Sequence, residues 1–387
     1  MEWPSFFRVG KSGQTVLIVD IKSGSVGASI VQISEDHKPV IFESARMPIS
    51  FGERLDFKQF TSTMLETLES VIKHLPQDKV RSVHNIHCFF SSPWCVSAIK
   101  QIKKEGEKPF TVSKEYIQGV VRSEQDRFKE LVEKQRSADG ESESMPIEHT
   151  VVETRINGYP TDNPDGHETK TFSMTLVLGV VSKSVSDKVS RILSQLVGSQ
   201  EVEYHSFILV MFTTVRELFD THEHFMLVDV GGEITDVVLV REGVPVALDS
   251  FPVGRDVLIK KTAVEANVIP EEIEGSLTHE SIKEKTDIST YSETNEWSAG
   301  FQETVLSFGN RNILPRTIFI AASNDVGPWI SKSLSNNEFS DTDTQERQKT
   351  AILLGGNMAR EHYVCERGVD CDLFLALESL FIEKLDS

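Results

Sequence analysis

The sequence predicts an α/β protein built as two similar halves, with a small α/β unit inserted in the first. Three observations carry that expectation. Short β-branched runs alternate with amphipathic helical stretches. The run FMLVDVGGEITDVVLV from Phe225 lays over VLIVDIKSGSVGASIV from Val16 with Asp229 on Asp20, an internal repeat of strand, aspartate, small-residue turn and strand. Between about Ser91 and Val181 the texture changes to long polar stretches around one long apolar run.

Taken in order, Thr15 to Ile33 reads as two strands about a Lys-Ser-Gly-Ser turn, and another strand follows at Pro39 to Pro48. Phe57 to Leu75 puts Phe57, Phe60, Met64, Leu68 and Ile72 on one helical face, and Val83 to Phe90 is a short strand. The inserted stretch has a polar helix at Ser113 to Lys134, a strand from Thr154 and a long strand at Phe172 to Val181. Glu133 to Pro146 and Thr161 to Lys170 read as charged loops between them. Ser182 to Leu196 returns to an amphipathic helix with serine capping signals.

The second half opens with the repeated hairpin, whose Val238 to Val240 pairs with VPVALDSFPVG. A helix at about Arg255 to Ala266, a polar stretch at Ser276 to Trp297 and a buried strand at Arg316 to Ala322 come next. Ser331 to Gln348 reads as a mobile polar loop, and Ala351 to Met358 as the last core helix. The terminal segment DLFLALESLFIEKLDS carries an apolar stripe of Leu373, Leu377, Leu380 and Phe381 beside Glu378, Glu383 and one lysine. A membrane-surface helix favours Lys and Arg on its polar face, so this segment reads as packed on its own domain or on a partner. Trp3, Phe6, Phe7 and Arg8 are compatible with a membrane or partner contact, a tucked anchor or a free tail.

Composition narrows the function. A chain of 387 residues suits two or more domains, and 39% hydrophobic with 26% charged residues is an ordinary soluble balance. The longest apolar run, FILVMF from Phe207, is far too short for a bilayer span, and Met1 to Gly10 lacks the apolar core of a secretory signal. A net charge of −19 argues against nucleic-acid binding, which rests on Lys and Arg neutralising phosphates. Cys88, Cys95, Cys365 and Cys371 form no CxxC pair and read as free thiols of a reducing cytosol. His222-Glu223-His224 is the densest histidine cluster and lacks HExxH spacing. No Ser/His/Asp triad or acid/base carboxylate pair is evident.

The two hairpins carry the chemistry. Consecutive backbone N–H groups in a small-residue turn cradle phosphate, and Ser23, Gly24, Ser25 and Gly231, Gly232, Glu233 supply two such turns. Asp20 and Asp229 at the strand ends suit a hydrated Mg²⁺ held from two sides. Thr235 and Asp236 are placed to orient water or metal, although Asp236 reads equally well as a solvated hairpin residue. A single Asp-x-Gly-Gly turn is also an ordinary β-hairpin; the repeat speaks for common ancestry rather than for binding.

On these motifs the chain resembles the actin/Hsp70/sugar-kinase superfamily, and within it the bacterial actin-like FtsA/PilM branch. VDIKSGSVGASIV resembles that branch's first phosphate hairpin and LVDVGGEITDVVLVREG its second; DSFPVGRDVLIKKTA resembles the segment that follows. RTIFIAASNDVGPWI stands where the family has its adenosine turn, and TRINGYPTDNP with the next long strand resembles the end of the SHS-type insertion of FtsA. FFRVGKSGQTVLIVDI is similar to the start of PilM. The resemblance implies a two-lobed actin-like fold of duplicated ribonuclease-H-like subdomains: residues 1–83 and 182–221 in the first lobe, 84–181 as an inserted interaction unit, and 222–387 in the second lobe, with a smaller subdomain at about 271–315. It implies ATP and Mg²⁺ as cofactors, with Glu271, Glu272, Ala322, Ser323 and Asn324 on the adenosine side. It further implies at most weak ATPase activity and a cytoplasmic scaffold, peripheral to the inner face of the membrane. Such a scaffold organises division or pilus inner-membrane proteins, touches the membrane through those partners and self-associates into dimers or filaments. The alternatives are a pseudo-ATPase acting only as a protein-binding module, or a small-molecule kinase.

Two departures bear on the nucleotide. Lys22 stands where the family has glycine; its ammonium contacts a phosphate, fills the pocket or points outward. The adenosine turn reads Ala321-Ala322-Ser323-Asn324-Asp325 instead of a glycine-rich sequence, which puts Cβ atoms where backbone would approach the base.

Overall fold

Each half of the chain folds around a central strand that ends in an aspartate. The computed structural model describes residues 13–34, 37–49, 57–136, 143–198, 200–278, 293–309, 314–336 and 350–386. The first half contains β1 (Gln14–Ile21), β2 (Ser25–Ser34), β3 (His37–Pro48), α1 (Phe57–His74), α2 (Gln77–Val80) and β4 (Asn85–Phe90). The inserted unit follows as β5 (Cys95–Val112), α3 (Lys114–Arg136), β6 (Ser144–Ile156), β7 (Tyr159–Pro160) and β8 (His167–Ser182). The first half resumes with α4 (Lys183–Leu196), β9 (Val202–Ser206) and α5 (Phe207–Leu218). The second half has β10 (Phe225–Val230), β11 (Thr235–Arg241), β12 (Val244–Phe251), α6 (Arg255–Ala266), α7 (Pro270–Thr278) and α8 (Glu293–Ser307). It continues with β13 (Thr317–Ala321), α9 (Gly327–Asn336), β14 (Thr350–Leu353), α10 (Gly356–Ala359), β15 (Val364–Cys365) and α11 (Leu373–Asp386).

The two large sheets repeat one topology. The first runs β15-β3-β2-β1-β4-β9 and the second β12-β11-β10-β13-β14. In each, two antiparallel hairpin pairings lead to a central strand that continues into two parallel pairings. The duplication inferred from the hairpins therefore extends over both sheets.

Three apolar layers hold these sheets. Outside the first sheet, α1 and α4 pack on β1, β2 and β4 through Met64, Leu68, Ile72, Val185 and Val189. Phe57 begins α1 but is exposed, the one member of the expected helical face that is not buried. Outside the second sheet, Leu258, Trp297, Phe301 and Ile330 of α6, α8 and α9 cover β10, β11 and β13. Between the sheets lie α5 and α11, whose Phe207 to Phe212 and Leu375 to Ile382 meet β1 and β2 from one side and β10 and β11 from the other. Full burial of a large apolar side chain stabilises by roughly 1.5–3 kcal/mol. With about a dozen such residues, the layer joins the lobes.

Several expectations change at this level. Residues 85–90 pair with β1 in the first sheet, so the inserted sheet begins at Cys95, not at residue 84. Its 18-residue first strand is not evident in the sequence because four lysines, two glutamates and a glycine interrupt its apolar positions. The segment from Val364 onward belongs to the first lobe: β15 pairs with β3, and α11 packs on α5, β1, β2 and β3. Ala351 to Leu353 form a parallel edge strand rather than a helix, since a four-residue apolar run carries no readable period. Ser331 to Asn336 are helical, not loop. The polar face assumed for the last helix fails at Glu378, which is fully buried. Cys365 and Cys371 are joined as a disulfide, with Cα atoms 6.3 Å apart across the turn into α11, so only Cys88 and Cys95 are free, buried thiols. Trp3 to Arg8, the acidic loop 137–142 and residues 279–292 and 337–349 lie outside the described residues.

Candidate functional site

The duplicated topology sets Asp20 and Asp229 in equivalent places. Asp20 pairs across its sheet with Gly27 and Phe89, and Asp229 with Asp236 and Ala321. Each is the penultimate residue of its central strand, and both are almost wholly buried, at 0% and 2% exposure. The two turns that follow them face each other across the lobes.

Each aspartate has its own cation. The Lys22 ammonium donates to both Asp229 carboxylate oxygens at 3.2 Å and to Ser91 Oγ at 3.2 Å. Its charge sits 3.4 Å from the centre of the Phe207 ring and 4.3 Å from that of Phe374. Lys22 thus fills the space between the lobes rather than pointing outward. Arg46 serves Asp20: its Nη2 donates to Asp20 Oδ2 at 2.6 Å, while Nε and Nη2 grip Asp372 at 2.8 and 2.9 Å. A Cβ at Gly27 would lie 2.7 Å from that guanidinium, so glycine there makes room for it. Asp372 also caps α11, accepting from the backbone N–H of Leu375 at 3.1 Å.

The phosphate-cradle groups are engaged as well. The N–H groups of Gly232 and Glu233 donate to Ser23 Oγ at 2.7 and 3.2 Å, so the second turn closes on a hydroxyl of the first. Gly24 and Gly232 touch: a Cβ on Gly232 would lie 2.7 Å from Gly24 Cα and 2.5 Å from Asp256 Oδ2. Ser25 Oγ accepts from Arg46 at 2.9 Å, and Glu233 is buried beside Lys260 at 3.5 Å. Gly231 accepts the Arg255 N–H and donates its own N–H to Ile234.

Thr235 and Asp236 face inward, too. Thr235 Oγ1 donates to the Val253 carbonyl at 2.7 Å and accepts from the Trp297 indole at 3.1 Å, which makes it a core hydroxyl. Asp236 accepts from Ser92 Oγ at 3.0 Å and Ser250 Oγ at 2.5 Å and is buried, not a solvated hairpin residue. Burial, then the neighbouring Asp229 charge, pushes the Asp236 carboxyl up to about 6. Burial likewise raises Asp229, with Lys22 pulling the other way.

On the adenosine side the expected residues do not converge. Glu271, Glu272 and Asn324 are exposed, Ala322 is buried in the second-lobe core, and Ser323 donates to Asp325 at 2.5 Å. Arg255 occupies this region, binding Asp325 at 2.6–2.8 Å, Asp256 at 2.6 Å and Glu274 at 3.1 Å.

The residues that sequence reasoning passed over are Arg46, Asp372, Arg255, Phe207, Phe374 and Glu378. Asp372 was legible as an N-cap before an apolar run, and Arg255 follows the Pro-Val-Gly that opens α6. No local signal marks the others, because their partners lie up to 326 residues away. Both Glu378 carboxyl oxygens and Asp20 Oδ1 are buried without a hydrogen-bond partner among the described residues. Burial, then the adjacent Asp20, pushes the Glu378 carboxyl well above its ordinary range.

No family model and no curated protein sequence matches the chain. Among solved structures it is similar to the PilM-PilN type IV pilus biogenesis complex, with a TM-score of 0.65 at 12% identity over 98% of this chain and 100% of that one. The fold is actin-like. The ethanolamine utilization protein EutJ from Carboxydothermus hydrogenoformans follows at TM-score 0.44 and 11% identity, covering 98% of this chain and 92% of that one. A Bacteroides thetaiotaomicron protein with an actin-like ATPase fold gives 0.36 and 10%, covering 98% and 99%.

Within this actin-like cleft, the residues present do not fit a magnesium nucleotide. The carboxylates suited to hydrated Mg²⁺ each hold a side-chain cation, two cradle N–H groups hold Ser23, and the opposed glycines touch where phosphates would pass.

Proposed function

We propose that this chain is an actin-like scaffold whose cleft is closed by its own side chains, and which acts by binding protein in type IV pilus assembly. The observation that carries the closed cleft is the Lys22 ammonium seated on Asp229, between Ser91 and the Phe207 ring. It favours the pseudo-ATPase alternative over nucleotide turnover. The pilus role is supported by the likeness to the PilM-PilN complex, which spans both chains end to end. By that analogy the partner is a membrane-associated pilus protein, and the scaffold works at the cytoplasmic face, held there by the partner. No helix among the described residues is long and apolar enough to cross a membrane. The inserted unit is the natural docking surface, because its long hairpin adds area without touching the cleft ion pairs.

Two measurements test this reading. Thermal melting with millimolar Mg-ATP or Mg-ADP should show no rise, since a ligand stabilises only what it binds. A rise that Asp229→Asn abolishes would overturn the closed cleft. Calorimetric titration with the cytoplasmic segment of a PilN-like protein from the same source should give saturable binding. Its absence, with binding of a division protein instead, would overturn the pilus assignment.

A further inference from the structure

A second cluster, apart from the cleft ion pairs, lies on the last two strands of the first sheet, β4 and the edge strand β9. His87 on β4 and His205 on β9 are 118 residues apart in sequence, and no spacing rule connects them. The parallel register sets His87 opposite Glu203 and Phe89 opposite His205. His87, Glu203 and His205 therefore project from the same face of the two strands. His87 Nδ1 and His205 Nε2 lie 3.1 Å apart, and with a Glu203 carboxylate oxygen they form three donor atoms within 4.8 Å of one another. Both imidazoles are buried while Glu203 is exposed, so the cluster opens towards solvent on one side.

The geometry points to a site for a divalent transition-metal ion of the zinc type, held by His87 Nδ1, His205 Nε2 and the Glu203 carboxylate, with water in the fourth position. Zinc–imidazole bonds of about 2.0–2.1 Å at a tetrahedral angle place two ligand nitrogens roughly 3.4 Å apart. The observed separation is within a few tenths of an ångström of that value. Two imidazoles and one carboxylate are a common zinc donor set, and an open fourth position completes it. The plain alternative is a hydrogen bond between two neutral rings. The metal site differs in making the Glu203 carboxylate on the same face a ligand. The His205 ring is also pre-set: Phe89 stacks on it at 4.9 Å and Phe381 meets it edge-on at 5.4 Å. An ion here would pin edge strand β9 to β4. Since β9 runs directly into α5, it would also steady Phe207, the ring under Lys22.

The test uses full-length protein stripped with chelator and freed of any affinity tag. Titration with Co²⁺ should give one equivalent and the visible absorption of a four-coordinate ion, displaced by Zn²⁺. Glu203→Gln, a change at an exposed side chain, should weaken binding at least tenfold, and His205→Gln should abolish it. His224→Gln, at an exposed histidine away from the cluster, should bind as wild type does. No stoichiometric binding by the wild type would overturn the assignment. Wild-type affinity in Glu203→Gln would overturn it too, and that variant decides the matter should His205→Gln fail to fold.

Discussion

If Lys22 neutralises Asp229 in the resting fold, removing its charge must cost stability even when no nucleotide is present. Lys22→Met keeps the chain length and the contact with Phe207 but deletes the ammonium. At 3.2 Å and an effective dielectric constant of about 20, the ion pair is worth about 5 kcal/mol of Coulomb energy. The loss leaves Asp229 at 2% exposure beside Asp236, with no cation within reach of its oxygens among the described residues. Breaking a buried pair from one side costs about 3–5 kcal/mol, or roughly 6–20 °C of melting temperature for a lobe of this size. Asp229→Asn alone should cost a similar amount, because it strands the lysine. The double variant Lys22→Met/Asp229→Asn leaves no buried charge and should lose less than either single change. Urea unfolding followed by indole fluorescence measures the cycle, with an expected coupling of about 3 kcal/mol or more. Single losses that simply add, or a Lys22→Met cost under about 1 kcal/mol, would show that the lysine does not compensate Asp229 and would remove the main support for a self-filled cleft.

Arg46→Lys keeps the charge but cannot grip Asp20 and Asp372 together; denaturant unfolding should show a loss of about 1–3 kcal/mol, and an unchanged midpoint would refute the bridging role. Gly232→Ala places a Cβ against Gly24 and Asp256, so it should destabilise by about 1–3 kcal/mol through overpacking; a neutral result would mean the turns stand apart in solution. Burial pushes the Glu148 carboxyl up to about 7, against about 4.5 when unfolded, so the folded state binds that proton more tightly. The resulting stability is fully present below pH 4.5 and lost as pH rises to 7, by about 3 kcal/mol. Glu148→Gln should match wild type near pH 4.5 and exceed it at pH 8; melting curves at the two pH values check the sign.

The parts of this fold written in local pattern were legible. The Val16 and Phe225 runs showed the duplication because alternating apolar residues and a small-residue turn specify a hairpin within about sixteen positions. The helices at Phe57 and Ser182 followed from their 3.6-residue period. Reading failed where the period was absent or masked: β14 is too short to show one, and the charged β5 is half-solvated along most of its length. Membership of a lobe was equally hidden for α11, whose apolar residues face two sheets at once and leave no polar stripe to orient it.

By itself, then, the sequence determined the class of fold, the two hairpins and the anomaly at Lys22. It left open whether that lysine meets a phosphate, fills the pocket or points away. The tertiary structure decided between them, because the groups that settle it come from every part of the chain: Asp229 lies 207 residues on from Lys22, and Arg46 finds Asp372 across 326. Ion pairing in a closed interior depends on distances of a few ångströms between strand ends, which side-chain order along a chain does not encode. The pairing of His87 with His205 rests on the same cause, a parallel register between strands separated by the whole inserted unit.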